Sequence, residues 1–578
     1  MLEYLYSALL LIIGSDKWTK FLIIFGVLWF IISLIISKVT KNSSNKRLIK
    51  KCVGVIPLLL CIIYVFMNLH SSTYSHFISK RGLLCLVLFI ESILMFIPKN
   101  ESDKKISFIS VSRCLFIIVG FIVFVMFMIN LAGYDQYLTD YSSLGWTDSF
   151  SHMVDTMSES YVSRNYKQID FEGLRNRFIP LVQEAERIND KKLFAKALLE
   201  YRYEFFDQHI RLVDNTGLMS QAEEELVGND YGISMYKLSN GDTIAIMVED
   251  GSQASKYGIH DGTVIKKWDG VDVDIAMEDV RCLDMKYQFE VLENEKFMKP
   301  IFLAGQGGEK VSVTFIADDG SVKDVFLDSM GSYKSRELDV LEHFYSVNRL
   351  SNDNFSYKML NDDVGYLRIT EEYSGGLSDY SFKNRQVYED TDKKLRELSD
   401  SGMKYLVIDI RNNHGGYETI SDAVASLFAD RRLSNKIGVE INGKNVPLVS
   451  YSTFDEGKWK DLPVVVLVND VTVSSGDVLT HLLSQCPNVT VMGITSSSNS
   501  VQTVGGHSLL SDDMFEIYYP LILSFDENDD IIEVTADRQA KVGFDLRIPV
   551  DYDGAMKIFS DTSDDYEIDY AIEYLYSH

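Results

Sequence analysis

The chain has 578 residues, with 56 Lys and Arg against 83 Asp and Glu and a formal net charge of −27. That length is too great for one domain and allows three or four, and so acidic a chain argues against nucleic acid as a partner, because phosphates are repelled. The six cysteines are scattered, which speaks against a disulfide framework or a zinc site, and no metal or cofactor is expected.

Residues 1–133 differ from the rest: they hold 14 Lys and Arg against five acids. Phe21–Ser37, Cys52–Asn68, Gly82–Ile97 and Cys114–Gly133 are apolar runs near the ~20 residues that a bilayer crossing needs. Four transmembrane helices are expected, or five if the shorter run Leu2–Ile13 also crosses. Residues 38–51 carry six bases and no acid, and residues 98–113 carry four bases and two acids. By the positive-inside rule both loops face the cytoplasm. The expectation is a multi-pass cell-membrane protein in contact with the lipid bilayer, with residues 134–578 extracytoplasmic.

Residues 134–221 read as a small helical subdomain. Phe150, Met153, Val154 and Met157 form one apolar stripe, and Leu174, Phe178, Leu181 and Val182 form another behind an N-cap at Asp170. Residues 222–330 change to short strands with turns at Asn240-Gly241, Asp269-Gly270 and Asp319-Gly320. Within them, GSQASKYGIHDGTVIKKWDG resembles the middle of a PDZ domain, with Thr263 where that family usually has Asp. The resemblance implies that a loop of Tyr231, Gly232, Ile233 and Ser234 holds peptide-binding N–H groups, and that a peptide adds as a strand. The insert from Met277 to Leu303 is longer than such a domain needs.

Residues 331–555 alternate buried strands with helices, an α/β layered body. Val364–Thr370, Tyr405–Ile410, Pro463–Val468, Val489–Met492 and Phe544–Val550 are the expected strands. Asp392–Leu398, Ile420–Phe428 and Asp477–Ser484 are the expected helices. Residues 556–578 form a C-terminal tail helix. Two segments stand out, YLVIDIRNNHGG from Tyr405 to Gly416 and PVVVLVNDVTVSSGD from Pro463 to Asp477. Each is a buried strand breaking into a turn. One turn offers glycine amides and the other a serine hydroxyl, the components of an acyl-transfer site.

The order of the helical subdomain, Asp207-Gln208-His209, the PDZ-like domain, GYLRIT, IDIRNNHGG, VLVNDVTVSSGD, VMGITSS and GFDLRIPV resembles the C-terminal-processing (tail-specific) peptidases over residues 145–553. That resemblance implies a ClpP/crotonase-like α/β peptidase core and serine peptidase chemistry. Ser474 falls on the nucleophile, with Ser475 as the near miss if the register slips by one. The amide of Ser475 and that of Gly415 or Gly416 would receive the oxyanion. The family has a Ser–Lys dyad form and a tricorn-core form with Ser, His, Ser and Glu. The dyad lysine position is Asn499 here, and no Lys or Arg occurs from Asn488 to Val534. His209 falls on the histidine that the tricorn-core form uses as base, but the supporting serine is Gln208 and the supporting glutamate is Ala540. Asp537, one turn away, is a substitute to consider.

Two functions follow. One is a membrane-anchored extracytoplasmic serine peptidase that cleaves unfolded or tail-exposed polypeptides, with Ser474 as nucleophile and His209 as base. The alternative is a catalytically impaired peptidase-like protein that binds peptides or scaffolds a cell-envelope complex, motivated by Asn499, Gln208 and Ala540.

Overall fold

The computed structural model describes residues 137–578 apart from 285, 346–353, 373–383, 442–443, 455–456, 543 and 561–564. The expected transmembrane region, residues 1–133, lies outside the described residues. No helix among the described residues is long and apolar enough to cross a membrane. The described residues therefore lend no support to the expected multi-pass fold class or to the membrane localisation built on it.

The chain divides into two units. In the smaller, the strand Tyr137–Asp140 pairs in parallel with Gly506–Leu509. The larger, residues 144–504 with 510–578, begins with helices Trp146–Ser160, Phe171–Ile188 and Lys191–Tyr203. The side chain of Asp170 accepts from Gly173 N at 2.9 Å and caps the second helix, and Asp190 caps the third through Leu193 N at 3.0 Å. Each carboxylate satisfies an N–H that the helix leaves free. The stripe Phe150, Met153, Val154 and Met157 is fully buried, as are Phe178 and Val182, but Leu181 is 39% exposed. A helix turns 100° per residue, so Leu181 and Val182 cannot both centre on the buried face.

An antiparallel sheet follows, in the order Ser234–Lys237, Thr243–Ile246, Val264–Trp268, Lys310–Ile316, Val322–Asp328. The turn Asp269-Gly270 joins Val264–Trp268 to the short strand Val271–Asp272. Both of its residues have positive φ, 48° and 79°, the conformation a two-residue hairpin requires. The helix Leu292–Leu303, from the long insert, packs against the edge strand Ser234–Lys237.

The third layer is a sheet in the order Leu546–Arg547, Val489–Gly493, Val464–Leu467, Tyr405–Asp409, Val364–Ile369, Phe355–Met359, parallel except for the last strand. Helices Asn384–Asp400, Glu418–Ala425 and Ser475–Leu483 connect its strands. Strands covered on both faces read as unbroken apolar runs, and successive side chains go to opposite faces. Thus Val407, Val465 and Leu467 join one hydrophobic cluster, which includes Met235, Ile244 and Phe315 of the antiparallel sheet. Leu406, Ile408, Val464 and Val466 join the other, with Leu479 and Leu482 of the helix Ser475–Leu483. Separately, Phe515–Phe525 pairs antiparallel with Arg211–Asp214 and with Ser434–Ile441.

Candidate active site

The strands Tyr405–Asp409 and Val464–Leu467 are parallel neighbours, so both release their turns at one sheet edge. Val473 N donates to Asn413 O at 2.9 Å and ties the turns together. Ser474 follows with φ 62° and ψ −124°, immediately before the helix Ser475–Leu483. A β-carbon seldom tolerates that conformation, so it persists only where neighbours impose it. They do: Ser474 N donates to Ser500 O at 2.7 Å, and Ser474 O accepts from Val478 N at 3.1 Å. The Ser474 hydroxyl has no hydrogen-bond partner among the described residues, and the side chain is half-buried between buried neighbours.

Gly415 lies against Ser474. A β-carbon on Gly415 would stand 2.5 Å from Ser474 Cβ, and its φ is +83°. Only glycine meets both conditions. The predicted oxyanion donors divide. Gly415 N already donates to Asn413 Oδ1 at 2.8 Å. The N–H groups of Gly416 and Ser475 meet no acceptor among the described residues. Ser475 stands at a helix N-terminus, where N–H groups are free and the helix dipole favours negative charge. Its hydroxyl donates to Gly416 O at 2.9 Å, so Ser475 braces the glycine corner. Beneath the corner, Glu372 is fully buried, and burial pushes its carboxyl up to about 8.

His209 forms no hydrogen bond with Ser474. Its Nδ1 lies 2.8 Å from Ser500 Oγ, and its N–H donates to Asp207 Oδ1 at 2.9 Å. Burial lowers the imidazole to about 4, with Arg211 and Lys167 adding to the effect and Asp207 opposing it. The ring is therefore neutral at pH 7, the form that accepts a proton.

The positions that depart from the family pattern take structural roles. Asn499 is fully buried; its Nδ2 donates to Ser497 O and Val542 O, and its Oδ1 accepts from Val542 N. Gln208 Nε2 donates to Asp470 O at 2.6 Å. Asp537 is exposed and accepts from Thr535 Oγ1, so it does not support His209.

The sequence reading missed a buried polar cluster behind His209. Lys167 Nζ lies 2.9 Å from Glu533 Oε1, 3.2 Å from Glu290 Oε2 and 3.7 Å from Asp207 Oδ2. Burial acts to lower its affinity for the proton, but the carboxylates of Asp207, Glu290 and Glu533 outweigh it and hold the ammonium well above the lysine range. Lys167 is therefore a cation and no base. Its members come from four separate segments, so spacing carries no signal; the one clue is that Asp207, Glu290 and Glu533 each follow apolar residues.

The PDZ-like loop is bonded elsewhere. Tyr231, Gly232, Ile233 and Ser234 are all buried. Gly232 N donates to Asp230 Oδ1 at 2.8 Å, and Ser234 Oγ pairs with Tyr333 OH at 2.6 Å.

The family model of peptidase family S41 matches residues 363–533, the segment that holds Ser474 and the glycine corner. The carboxy-terminal processing protease CtpA of Bacillus subtilis (strain 168) is 28% identical over 154 residues, 25% of this chain and 28% of that protein. A probable CtpA-like serine protease of Staphylococcus aureus (strain N315) is 30% identical over 131 residues, 22% of this chain and 26% of that protein. The chain thus spans little more than a quarter of the length of these relatives. Among solved structures, mature CPAF complexed with lactacystin covers 75% of this chain and 99% of its own, at 13% identity and a TM-score of 0.47. The photosystem II D1 C-terminal processing protease covers 73% and 99%, at 17% identity and a TM-score of 0.32. Residues 363–533 are thus similar to peptidase family S41, and the relatives matched are C-terminal-processing proteases.

Proposed function

We propose that the chain is a serine peptidase that cleaves unfolded or tail-exposed polypeptides through an acyl-enzyme. The observation that carries this reading is the Ser474 corner: a serine at positive φ, an unengaged hydroxyl, and two unengaged N–H groups at Gly416 and Ser475. The family match over residues 363–533 supports the same chemistry.

Ser474 Oγ attacks the scissile carbonyl carbon and its proton passes to the neutral imidazole of His209. The carbonyl π pair moves to oxygen, and the N–H groups of Ser475 and Gly416 receive the negative charge. When the tetrahedral species collapses, the C–N bond breaks and the imidazolium gives its proton to the leaving amine. Water then attacks the ester, His209 takes its proton, and that proton returns to Ser474 Oγ as the acid departs. His209 Nδ1 faces Ser500, so the proton passes to Nε2, directly or through an intervening water. The sheet of residues 234–328 serves as the PDZ-like module. Because the loop Tyr231–Ser234 is buried, a peptide docks there only if the helix Leu292–Leu303 withdraws from the edge strand.

The test uses the purified full chain, an unstructured protein such as casein, and a fluorophosphonate probe. Turnover and labelling that both vanish in Ser474→Ala support the reading. Equal turnover by Ser474→Ala removes Ser474 as nucleophile. A second reading, a peptide-binding protein without turnover, is favoured by the engagement of His209 with Ser500. Casein binding with neither cleavage nor labelling would select it.

A further inference from the structure

We infer that Ser500, Gln502 and Asp207 form a hydrogen-bond relay that fixes the tautomer of His209, keeping its proton on Nδ1 and leaving Nε2 as the proton acceptor. The inference rests on the reading of His209 as the base, and it identifies three positioning residues.

The direction of every bond follows from which atoms can only accept. Asp207 is fully buried. Its Oδ2 receives the Tyr161 hydroxyl at 2.5 Å, and its Oδ1 receives the His209 backbone N–H at 2.9 Å. One end of the Gln502 amide lies 3.3 Å from Asp207 Oδ2 and 3.2 Å from Ser163 Oγ. The other end lies 3.0 Å from Ser500 Oγ. A carboxylate oxygen repels a carbonyl oxygen and accepts from an amide N–H. The end facing Asp207 is therefore the NH2, and the end facing Ser500 is the carbonyl.

Ser500 has one hydroxyl proton. The Gln502 carbonyl takes it, because that oxygen has nothing to donate. Glu290 also faces this hydroxyl, and a proton turned to its carboxylate would equally be turned away from His209. Towards His209, Ser500 Oγ then presents only a lone pair. At 2.8 Å from that oxygen, the neutral ring must carry its hydrogen on Nδ1, and Nε2 keeps its lone pair. Of the charged groups that face the ring, Asp207, Arg211 and Lys167, Asp207 anchors this chain of assignments and the other two take no part in it.

Ser500 is placed to do this by the element that carries the nucleophile. Asp477, in the first turn of the helix Ser475–Leu483, accepts from Ser500 N at 2.9 Å. Ser500 O accepts from Ser474 N at 2.7 Å. One residue therefore holds the nucleophile's backbone with its carbonyl and the base's tautomer with its hydroxyl. Ser500 and Gln502 are 0% and 1% exposed, so water does not compete for these bonds.

The test is 15N NMR of the full chain with labelled histidine, with the His209 signals identified by their loss in His209→Gln. In the wild type at pH 7 the expected spectrum has Nε2 pyridine-type and Nδ1 pyrrole-type. In Ser500→Ala the two signals move towards a common average, and kcat falls about 10- to 100-fold, since general-base help is worth about that much or more, with KM within about twofold. Ser500→Thr restores the hydroxyl and recovers most of both. A wild-type spectrum with the proton on Nε2, or a Ser500→Ala tautomer identical to wild type, overturns the relay. If Ser500→Ala does not fold, the wild-type spectrum alone decides. A chain that neither cleaves casein nor labels at Ser474 defeats the peptidase reading, while the tautomer assignment still stands or falls on the spectrum.

Discussion

A methyl group on Gly415 would meet Ser474 Cβ at 2.5 Å from a backbone at φ +83°. On the proposed reading, Gly415→Ala is therefore expected to shift Ser474 and lower turnover about 100-fold, since a misplacement of about 1 Å between reacting groups can carry that penalty. It should also destabilise the fold by about 1–3 kcal/mol; probe labelling and thermal melting read the two effects. For His209, a value lowered to about 4 by burial predicts a kcat/KM that is flat from neutral pH down to about pH 5 and falls as the imidazole protonates near pH 4. The same shift has a stability consequence. The unfolded chain takes up the proton near the ordinary histidine value of about 6.5 while the folded one resists it, so stability falls as pH drops from 6.5 towards 4. Its side chain is 11% exposed, and the full effect is about 3 kcal/mol. Urea midpoints of wild type and His209→Gln should converge as pH falls through that window; parallel curves would contradict it.

Among the elements, the strand Tyr405–Asp409 bears the most. It sits between Val364–Ile369 and Val464–Leu467 and aims the glycine corner. Ile408 is fully buried, and Ile408→Ala should cost about 2–5 kcal/mol in chemical denaturation. Just past the strand, the Arg411 guanidinium donates to Asp409, Asp565 and Glu567. It thereby fastens the terminal helix Tyr566–Ser577 beneath the site. Removing that cation leaves buried carboxylates unpaired, so Arg411→Ala should cost about 3–5 kcal/mol. These elements were legible in the sequence because their apolar runs lie between turn residues. The expected strand Phe544–Val550 is longer than the observed one: only Leu546–Arg547 pair, because the Asp545 carboxylate takes Val491 N at 2.8 Å and the neighbour Val489–Gly493 ends at Gly493.

At the scale of the whole molecule, a net charge of −27 sets a field that attracts cationic chains and is screened by salt. Cleavage of a Lys-rich unstructured polypeptide should therefore lose kcat/KM between 0.05 and 0.5 M NaCl more steeply than cleavage of a neutral one, with ~10 Å screening at 0.1 M; equal salt slopes would count against substrate steering. The same charge disfavours nucleic acid.

What the sequence by itself determined is local. Apolar runs, turn residues and the order of short motifs placed the parallel strands, the glycine corner and Ser474, because each depends on neighbours within a few residues. Tertiary structure decided the rest. Which glycine amide remains free depends on Asn413 bonding Gly415, and what His209 touches depends on Ser500, 291 positions away. Lys167 became a buried cation only through carboxylates from three distant segments. Hydrogen bonds and ion pairs act over a few ångströms regardless of separation along the chain, so only the folded arrangement reveals which donor meets which acceptor.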